Sequence, residues 1–284
     1  MITGKTKLLG VIGYPIEHSF SPIMHNAAIA AMGVDYVYLP FPIAPENLTA
    51  AIAGFNAIGL QGFSITIPHK QTIIPLLGEI SPVAQAVGAV NTVIRTETGW
   101  RGTNTDIDGF LSPLKGKNWQ DSVAVILGAG GAARAVVAGC LQLKCREIHV
   151  VGRNVAKLVA FAESWRQATI PVQLAVHPWE SLSTLIPQAG LIVNTTPVGM
   201  FPHIDQSPVD ETVLDQLSPG TFVYDLIYTP NPTLLLQHSQ DRGAIILDGL
   251  EMLVQQGAKA LELWLNRQVP ASVMRQALEK HLGM

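Results

Sequence analysis

Short apolar runs alternate with amphipathic stretches along most of the chain. In the first third, apolar runs at 8–12, 36–41 and 63–67 predict buried strands. Between them, 22–32 and 45–55 predict helices, each with a proline in its first turn, where a missing N–H is tolerated. Strands that alternate with helices are typical of parallel sheets covered by helices.

Two further strands, 90–95 and 100–103 around a Thr98-Gly99 turn, precede a predicted linker at 115–118. A second alternation follows this linker. Its strands are predicted at 123–127, 148–151, 172–176, 191–194 and 222–225, and its helices at 132–143, 155–166, 249–264 and 271–282. The pattern predicts an α/β protein with two domains: a substrate domain over 1–110 and a Rossmann-like, doubly wound domain over 111–248. The helices of 249–284 are expected to return to the first domain.

Length and charge narrow the possible classes of protein. The 284 residues suit two domains at about 150 residues each. Only 14% of the residues are charged, and the net charge is −3, so no basic stripe is available for nucleic acid. The uncharged stretches 47–69 and 181–204 contain prolines and polar residues, so neither is expected to span a membrane.

The N-terminus offers two interpretations. Lys5 and Lys7 precede an apolar run, 8–16, that resembles the core of a signal peptide. Glycines and a proline interrupt this run, so a first buried strand is the favoured interpretation. Two cysteines, Cys140 and Cys145, suit reduced thiols in a cytoplasmic enzyme. The histidines and cysteines lack zinc spacings, so no metal is expected.

A glycine-rich loop joins the strand at 123–127 to the following helix. Residues 128–133 fit the pattern G-x-G-x-x-G/A in the strand–turn–helix context that dinucleotide binding requires. Gly128 permits the tight turn, Gly130 permits close approach of a pyrophosphate, and Ala133 permits close packing of the helix. A plain glycine-rich turn is the alternative. The cofactor-binding candidates here are Gly128, Ala129, Gly130, Gly131 and Ala132.

The residues after the strand at 148–151 indicate whether the domain prefers NAD or NADP(H). An acidic residue at this point would bind the ribose of NAD. Arg153, Asn154 and Lys157 are found there instead, without a carboxylate, which favours the 2′-phosphate of NADP(H). The alternative is that Arg153 and Lys157 are ordinary surface cations that bind no phosphate.

Polar residues also follow the strands of the first domain. Because ligands bind beyond the carboxyl ends of parallel strands, a small polyhydroxylated acid is a suitable ligand for this set. Ser21 and Asp106 could instead be helix caps, Lys70 could be a solvated surface residue, and His69 could be a hydrogen-bonded neighbour. The candidates are Ser19, Ser21, Thr66, Lys70, Asn91 and Asp106.

Taken together, these motifs resemble the quinate/shikimate dehydrogenase family. The matching segments run in the family's order from residue 13 to residue 256. One departure concerns the cofactor turn, which commonly reads Asn-Arg-Thr in the family but reads Gly-Arg-Asn at 152–154. The matching segments are 13–22, 66–70, 88–92, 102–106, 128–134, 194–200, 225–228 and 249–256.

The resemblance implies reversible, NADPH-dependent reduction of 3-dehydroshikimate to shikimate, on the route to chorismate and the aromatic amino acids. It implies that Lys70 and Asp106 are the catalytic pair and that the protein is a homodimer. It assigns the substrate carboxylate to Ser19 and Ser21. It assigns the ring hydroxyls to Thr66, Asn91, Asp106 and Gln256, with Tyr228 nearby. It also assigns contacts with the cofactor to Thr195, Met200 and Gly249.

Two other functions remain open. Quinate carries an extra ring hydroxyl, and a quinate or dual quinate/shikimate dehydrogenase is the nearer alternative. A non-catalytic NADP-binding sensor on the same fold is the more distant one, because fold does not fix function. Lys70 and Asp106 argue against the sensor.

Overall fold

The computed structural model describes residues 2–166 and 174–284. Its contacts divide the chain into two compact units. The first comprises Met1–Gly109 with Leu253–Met284, and the second comprises Phe110–Met252. Each unit is built around its own six-stranded sheet. The domain boundaries at 110/111 and 248/249 remain predictions.

The sheet of the first unit is mixed. Its order is β2-β1-β3-β5-β6-β4, with β1 parallel to β2 and β3, and with β5 antiparallel to both β3 and β6. The strand–helix alternation predicts the parallel pairs of β1 with β2 and β3, and the predicted Thr98-Gly99 turn joins β5 and β6 as a hairpin that reverses the chain. The apolar run 8–12 is confirmed as part of a buried strand, β1. The strands are β1 (Lys7–Gly13), β2 (Tyr36–Pro42), β3 (Gly62–Ile65), β4 (Glu79–Ile80), β5 (Thr92–Thr96) and β6 (Gly99–Thr103).

The two helices predicted at 22–32 and 45–55 are present, with small shifts at their ends, whereas the short helix over Pro82–Val87 was not predicted. The predicted helix at 45–55 begins with a 3₁₀ turn over Pro45–Asn47 before its α-helical part. The α1 helix, Ser21–Ala31, buries Met24, Ala28 and Ile29. The next helices are α2 (Leu48–Ala57), α3 (Pro82–Val87) and α4 (Asp106–Leu111).

The sheet of the second unit is parallel throughout. Its order is β12-β11-β10-β7-β8-β9. Read from β9 and numbered within the unit, this is the order 3-2-1-4-5-6 of the dinucleotide-binding fold, so the Rossmann-like prediction is confirmed. Residues 172 and 173 of one predicted strand lie outside the described residues. The strands are β7 (Val123–Leu127), β8 (Glu147–Gly152), β9 (Leu174–Pro178), β10 (Leu191–Asn194), β11 (Phe222–Asp225) and β12 (Ile245–Leu247).

The apolar strands of this sheet supply the core of the second unit. Val125, Val151, Ile192 and Val223 are buried on one face, in a cluster with apolar residues of the surrounding helices. Burial on both faces explains why these strands read as continuous apolar runs. The helices are α5 (Gly131–Gln142), α6 (Val155–Arg166), α7 (Leu182–Leu185), α8 (Glu211–Leu214) and α9 (Leu234–Asp241).

The last two helices, α10 (Leu250–Leu265) and α11 (Ala271–Leu282), close the chain. The α11 helix packs against α1. On α10, the Trp264 indole N–H donates to the Val93 carbonyl at 2.9 Å, and the ring lies near His25 and Tyr38. Gly62 provides the space for this indole, because a Cβ there would contact it. The C-terminal helices therefore return to the first unit.

The described residues meet neither the requirements of a membrane-spanning helix nor those of a metal site. Within them, no helix has both the length and the apolar character that crossing a bilayer requires. No grouping of three or more histidine, cysteine, aspartate or glutamate side chains among them could hold a metal ion. Cys140 and Cys145 are both free thiols.

We expect Gly62→Ala to lower the free energy of unfolding by about 1–3 kcal/mol, the usual range for overpacking. The new Cβ would contact the Trp264 indole and lie 2.8 Å from the Val93 carbonyl oxygen, which cannot move independently of the sheet. Gly54→Ala in α2 is the matched control, because no atom lies within 4 Å of its Cβ position. Urea unfolding measures both. Equal midpoints for the two variants would contradict this account of the α10 contact.

Candidate active site

An ion pair lies beyond the carboxyl ends of the strands of the first unit. Lys70 follows β3, and Asp106 follows β6 at the first position of α4. The Lys70 Nζ lies 2.5 Å from Asp106 Oδ2, and the two side chains are only 16% and 7% exposed. A carboxylate or an ammonium group that is removed from water needs an oppositely charged partner to offset the cost of desolvation. The pair therefore supplies a fixed ammonium at the edge of the sheet.

Asn91 connects this pair to its surroundings. Its Nδ2 lies 2.8 Å from Asp106 Oδ1, 3.0 Å from Thr105 Oγ1 and 3.4 Å from Gln256 Oε1. Its Oδ1 accepts the backbone N–H of Thr105 at 2.7 Å. Both oxygens of Asp106 are thus engaged, one by an ammonium and one by an amide. The carboxylate has a fixed orientation, and Gln256 of α10 joins the same cluster.

The remaining hydroxyl candidates of this unit lie on neighbouring segments. Thr66 is the first residue after β3. Its methyl group packs closely on the backbone of Gly13, because a Cβ added to Gly13 would lie 2.5 Å from it. Ser19 Oγ accepts the backbone N–H of Ser21 at 3.4 Å. No side-chain cap is present at the start of α1, within the described structure, so capping does not explain Ser21. Ser21 lies beside the buried Tyr38 hydroxyl, and burial raises the pKa of that phenol.

His69 has a structural role. It is buried, and its Nε2 lies 2.6 Å from the Ile43 carbonyl oxygen. The His69 carbonyl accepts the N–H of Ile73 at 3.1 Å, and the next carbonyl, of Lys70, accepts the N–H of Val90 at 2.7 Å. These bonds hold the backbone beneath the Lys70 side chain, as expected for a hydrogen-bonded neighbour.

The loop after β7 fits a pyrophosphate. Gly128 has φ of 105°, and a Cβ there would lie 2.7 Å from Thr195 Oγ1, so glycine is required. At Gly130, by contrast, nothing lies within 4 Å of the Cβ position, and a ligand can approach the backbone closely. The α5 helix begins at Gly131, with no acidic residue in its first turn. Its N–H groups and dipole favour an anion at this end.

The candidates for the adenosine end follow β8. Arg153 and Lys157 are exposed, and the Arg153 guanidinium lies 5.6 Å from the centre of the Trp179 ring. Asn154 Oδ1 accepts the backbone N–H of Lys157 at 3.0 Å, so this side chain caps α6. The turn 152–157 contains no carboxylate, so its donor set suits a phosphate.

The other predicted residues of the second unit follow β10, β11 and β12. Thr195 Oγ1 donates to the Leu127 carbonyl at 2.6 Å, beside the glycine-rich loop. Met200 is exposed, and the Gly249 N–H donates to the Ile227 carbonyl at 3.0 Å. Tyr228, which the resemblance groups with the substrate residues, belongs to this second unit, and burial raises its pKa.

Sequence reasoning missed a buried polar cluster at the same edge. Asn194 closes β10, Asp225 closes β11, and Thr233 precedes α9; all three are fully or almost fully buried. A signal was present, because both strands are apolar runs that end in a polar residue. Applying the carboxyl-end rule to this half of the chain would have found Asn194 and Asp225.

Three family models match consecutive parts of the chain. The shikimate dehydrogenase substrate binding domain matches residues 11–93. The shikimate / quinate 5-dehydrogenase model matches residues 112–227. The shikimate 5′-dehydrogenase C-terminal domain matches residues 249–279.

Individual proteins are similar over almost the whole length. The shikimate dehydrogenase (NADP(+)) of Nostoc sp. is 64% identical over 288 residues, with 100% of each chain covered. A shikimate dehydrogenase crystallised with NADP+ superimposes with a TM-score of 0.89 at 38% identity, over 99% of this chain and 98% of that one. The Thermus thermophilus enzyme crystallised with NADP(H) and shikimate gives 0.84 at 32% identity, over 97% and 99%. This chain therefore belongs to the shikimate/quinate dehydrogenase family.

Proposed function

We propose that this chain interconverts shikimate and 3-dehydroshikimate with NADP(H), as a step of the route to chorismate. The observation that carries the proposal is the Lys70–Asp106 ion pair, held by Asn91 among hydroxyl and amide side chains at one edge of a sheet. The relatives named for this activity add support, since their similarity extends over the whole chain. The pair is the part of the site that a binding protein would not need.

The side chains around the pair suit a polyhydroxylated acid. Hydroxyl groups donate hydrogen bonds to carboxylates, and we assign the substrate carboxylate to Ser19 and Ser21. The amides and hydroxyl nearby can both donate and accept, as ring hydroxyls require. We assign the ring hydroxyls to Thr66, Asn91, Asp106 and Gln256, with Tyr228 as a further contact.

Ketone reduction adds a hydride to carbon and a proton to oxygen. NADPH supplies the hydride when bound. The Lys70 ammonium donates the proton to the carbonyl oxygen in reduction, and the neutral amine accepts it back in oxidation. Asp106 orients the ammonium through Oδ2 and is itself held by Asn91 through Oδ1. Before the proton moves, the ammonium also stabilises negative charge on the oxygen.

The second unit supplies the groups that would hold NADP(H). Gly128, Ala129, Gly130, Gly131 and Ala132 present backbone at the start of α5, which suits the pyrophosphate. We assign the adenosine end, with its 2′-phosphate, to Arg153, Asn154 and Lys157, and the nicotinamide end to Thr195, Met200 and Gly249.

We also propose that the protein is a homodimer and that it works in the cytoplasm. Family resemblance supports a homodimer, and the free thiols Cys140 and Cys145 suit the reducing cytoplasm. The mass in solution, measured by light scattering, tests the dimer. The mass of one chain at micromolar concentration would contradict it.

Initial rates of shikimate oxidation test the reaction itself. We expect turnover with shikimate and NADP, and much slower turnover when NAD or quinate is substituted singly. Comparable rates with quinate would replace the proposal with a dual-substrate dehydrogenase. A folded protein that binds NADPH but turns over none of these pairs would be the NADP-binding sensor.

We expect Lys70→Ala to reduce kcat and kcat/KM equally, by about 10²–10⁴-fold, because the proton donor acts in the transition state. Steady-state kinetics measure both constants. Lys5→Ala, which removes an exposed cation of the same unit, should leave them unchanged. Turnover that survives in Lys70→Ala would rule out the acid–base role.

We expect Arg153→Ala and Lys157→Ala each to raise KM for NADP about tenfold or more, since each removes a charge-assisted contact with the 2′-phosphate. KM for NAD should change little, because NAD lacks that phosphate. Lys117→Ala is the control, because Lys117 lies over the Phe222 ring at the other end of β11. Equal losses with NADP and NAD would contradict the assignment.

A further inference from the structure

A carboxylate that accepts hydrogen bonds from three neutral donors is buried at the end of β11. Asp225 is fully buried. Its Oδ1 accepts hydrogen bonds from Asn194 Nδ2 at 2.9 Å and the Ile227 N–H at 3.1 Å, and its Oδ2 accepts one from Thr233 Oγ1 at 2.8 Å. Burial raises the pKa of Asp225 to about 6, and these three neutral donors oppose the rise. Among the described residues, no charged side chain contributes to this shift.

The first of these donors shapes the loop after β10. Asn194 Oδ1 accepts both the backbone N–H of Thr196, at 3.0 Å, and its hydroxyl, at 2.7 Å. The same amide that binds Asp225 also reaches the Val198 carbonyl at 3.3 Å. Gly199 follows, with φ of 104°. The orientation of the Asn194 amide therefore fixes the segment that runs from Thr195 toward Met200.

The other two donors shape the loop after β11. The Ile227 N–H binds Asp225, and the Ile227 carbonyl accepts the Gly249 N–H at 3.0 Å. Thr233 Oγ1 donates to Asp225 and accepts the N–H of Leu236 at 3.4 Å, as the N-cap of α9. One carboxylate thus connects three segments, which carry Met200, Tyr228 and Gly249.

We propose that Asp225 is a positioning residue for the nicotinamide end of NADP(H), acting through the loops that follow β10 and β11. It touches neither the cofactor nor the substrate in this role. The inference rests on the proposed function, because it takes Thr195, Met200 and Gly249 as contacts of the cofactor. The ligand that Asp225 affects is therefore the same nicotinamide dinucleotide, reduced or oxidised, that the proposed function assigns to the second unit.

Three substitutions separate the possible roles of this side chain. Asp225→Ala removes all three acceptor contacts. Asp225→Asn keeps an acceptor for Asn194 and Ile227 and turns an N–H toward the Thr233 oxygen, which can accept it. Ser239→Ala is the matched control, because Ser239 is a buried hydroxyl of α9 that makes no hydrogen bond in the described structure.

The dissociation constant of NADPH, measured through its own fluorescence, is the first readout. We expect Asp225→Ala to raise it about tenfold or more, and Asp225→Asn to stay within about threefold of the wild type. KM for NADP should rise with it, and by a larger factor than KM for shikimate, because Tyr228 alone among the assigned substrate side chains lies in the second unit. A folded Asp225→Ala protein that binds NADPH normally would overturn the proposal, as would equal losses for both substrates.

A second pair keeps the test decisive if Asp225→Ala does not fold. Thr233→Val removes the donor to Oδ2, whereas Thr233→Ser retains it. The proposal predicts weaker NADPH binding for the valine variant alone, and equal binding by the two would overturn it. A wild-type protein that binds NADPH but does not oxidise shikimate would contradict the proposed function, while these binding comparisons would still test Asp225.

The protonation of Asp225 gives an independent prediction for stability. Its pKa is higher in the folded protein than the ordinary aspartate value of 3.8, so the folded state binds this proton more tightly than the unfolded chain. The resulting stabilisation is present at low pH and is lost as the pH rises through about 6. The melting temperature of Asp225→Asn relative to the wild type should therefore increase from about pH 5 to about pH 8. A difference that does not change with pH would contradict the burial of a titrating carboxyl here.

Discussion

The burial of a carboxylate at the end of a strand is the constraint around which both units are organised. Asp106 and Asp225 each follow or end a strand, and each binds an asparagine amide, at 2.8 Å and 2.9 Å. Asp106 is compensated by the Lys70 ammonium, whereas the donors to Asp225 in the described parts of the chain are all neutral. Burial raises the pKa of Asp225, and its neutral donors oppose that rise. The first arrangement holds a proton donor in place, and the second holds two loops together.

The parallel sheet of the second unit brings the cofactor elements to one edge. Its register sets Leu127 beside Val151 and Asn194, and sets Asn194 beside Asp225. Four strands thus end in line, so the loops that leave them are neighbours although they are far apart in sequence. The glycine-rich turn lies at the centre, where the strand order reverses and ligands bind in folds of this kind. Small side chains there leave the helix N-terminus open to an anion.

Much of this arrangement could be predicted from the sequence, because the relevant signals are local. Apolar runs identified nearly all the long strands, and the glycine spacing identified the phosphate loop in its correct context. The hairpin of the first sheet was visible as a Thr98-Gly99 turn, yet its consequence, a mixed sheet, depends on which strands pair. The short elements β4 and β12 have two and three residues, too few for a periodic pattern.

The polar networks were harder to predict, since they depend on distance in space. Asn91 and Gln256 are 165 residues apart in the sequence, and only the return of α10 to the first unit brings them together. Thr233 and Asp225 meet because the chain turns back after β11. The family motifs marked most of these positions without explaining them. The hydrogen bonds now provide a physical reason for Asn91, Asn194 and Asp225.

The central claim is that the Lys70 amine exchanges a proton with the substrate oxygen while the nicotinamide exchanges the hydride. The most direct test is a single turnover of Lys70→Ala, saturated with shikimate and NADP, over a series of methylamine concentrations. A small amine can occupy the space left by the lysine side chain and take its place as the base. The account predicts slow formation of NADPH without amine and a rate that increases with amine concentration. A rate equal to that of the wild type without amine would contradict the account.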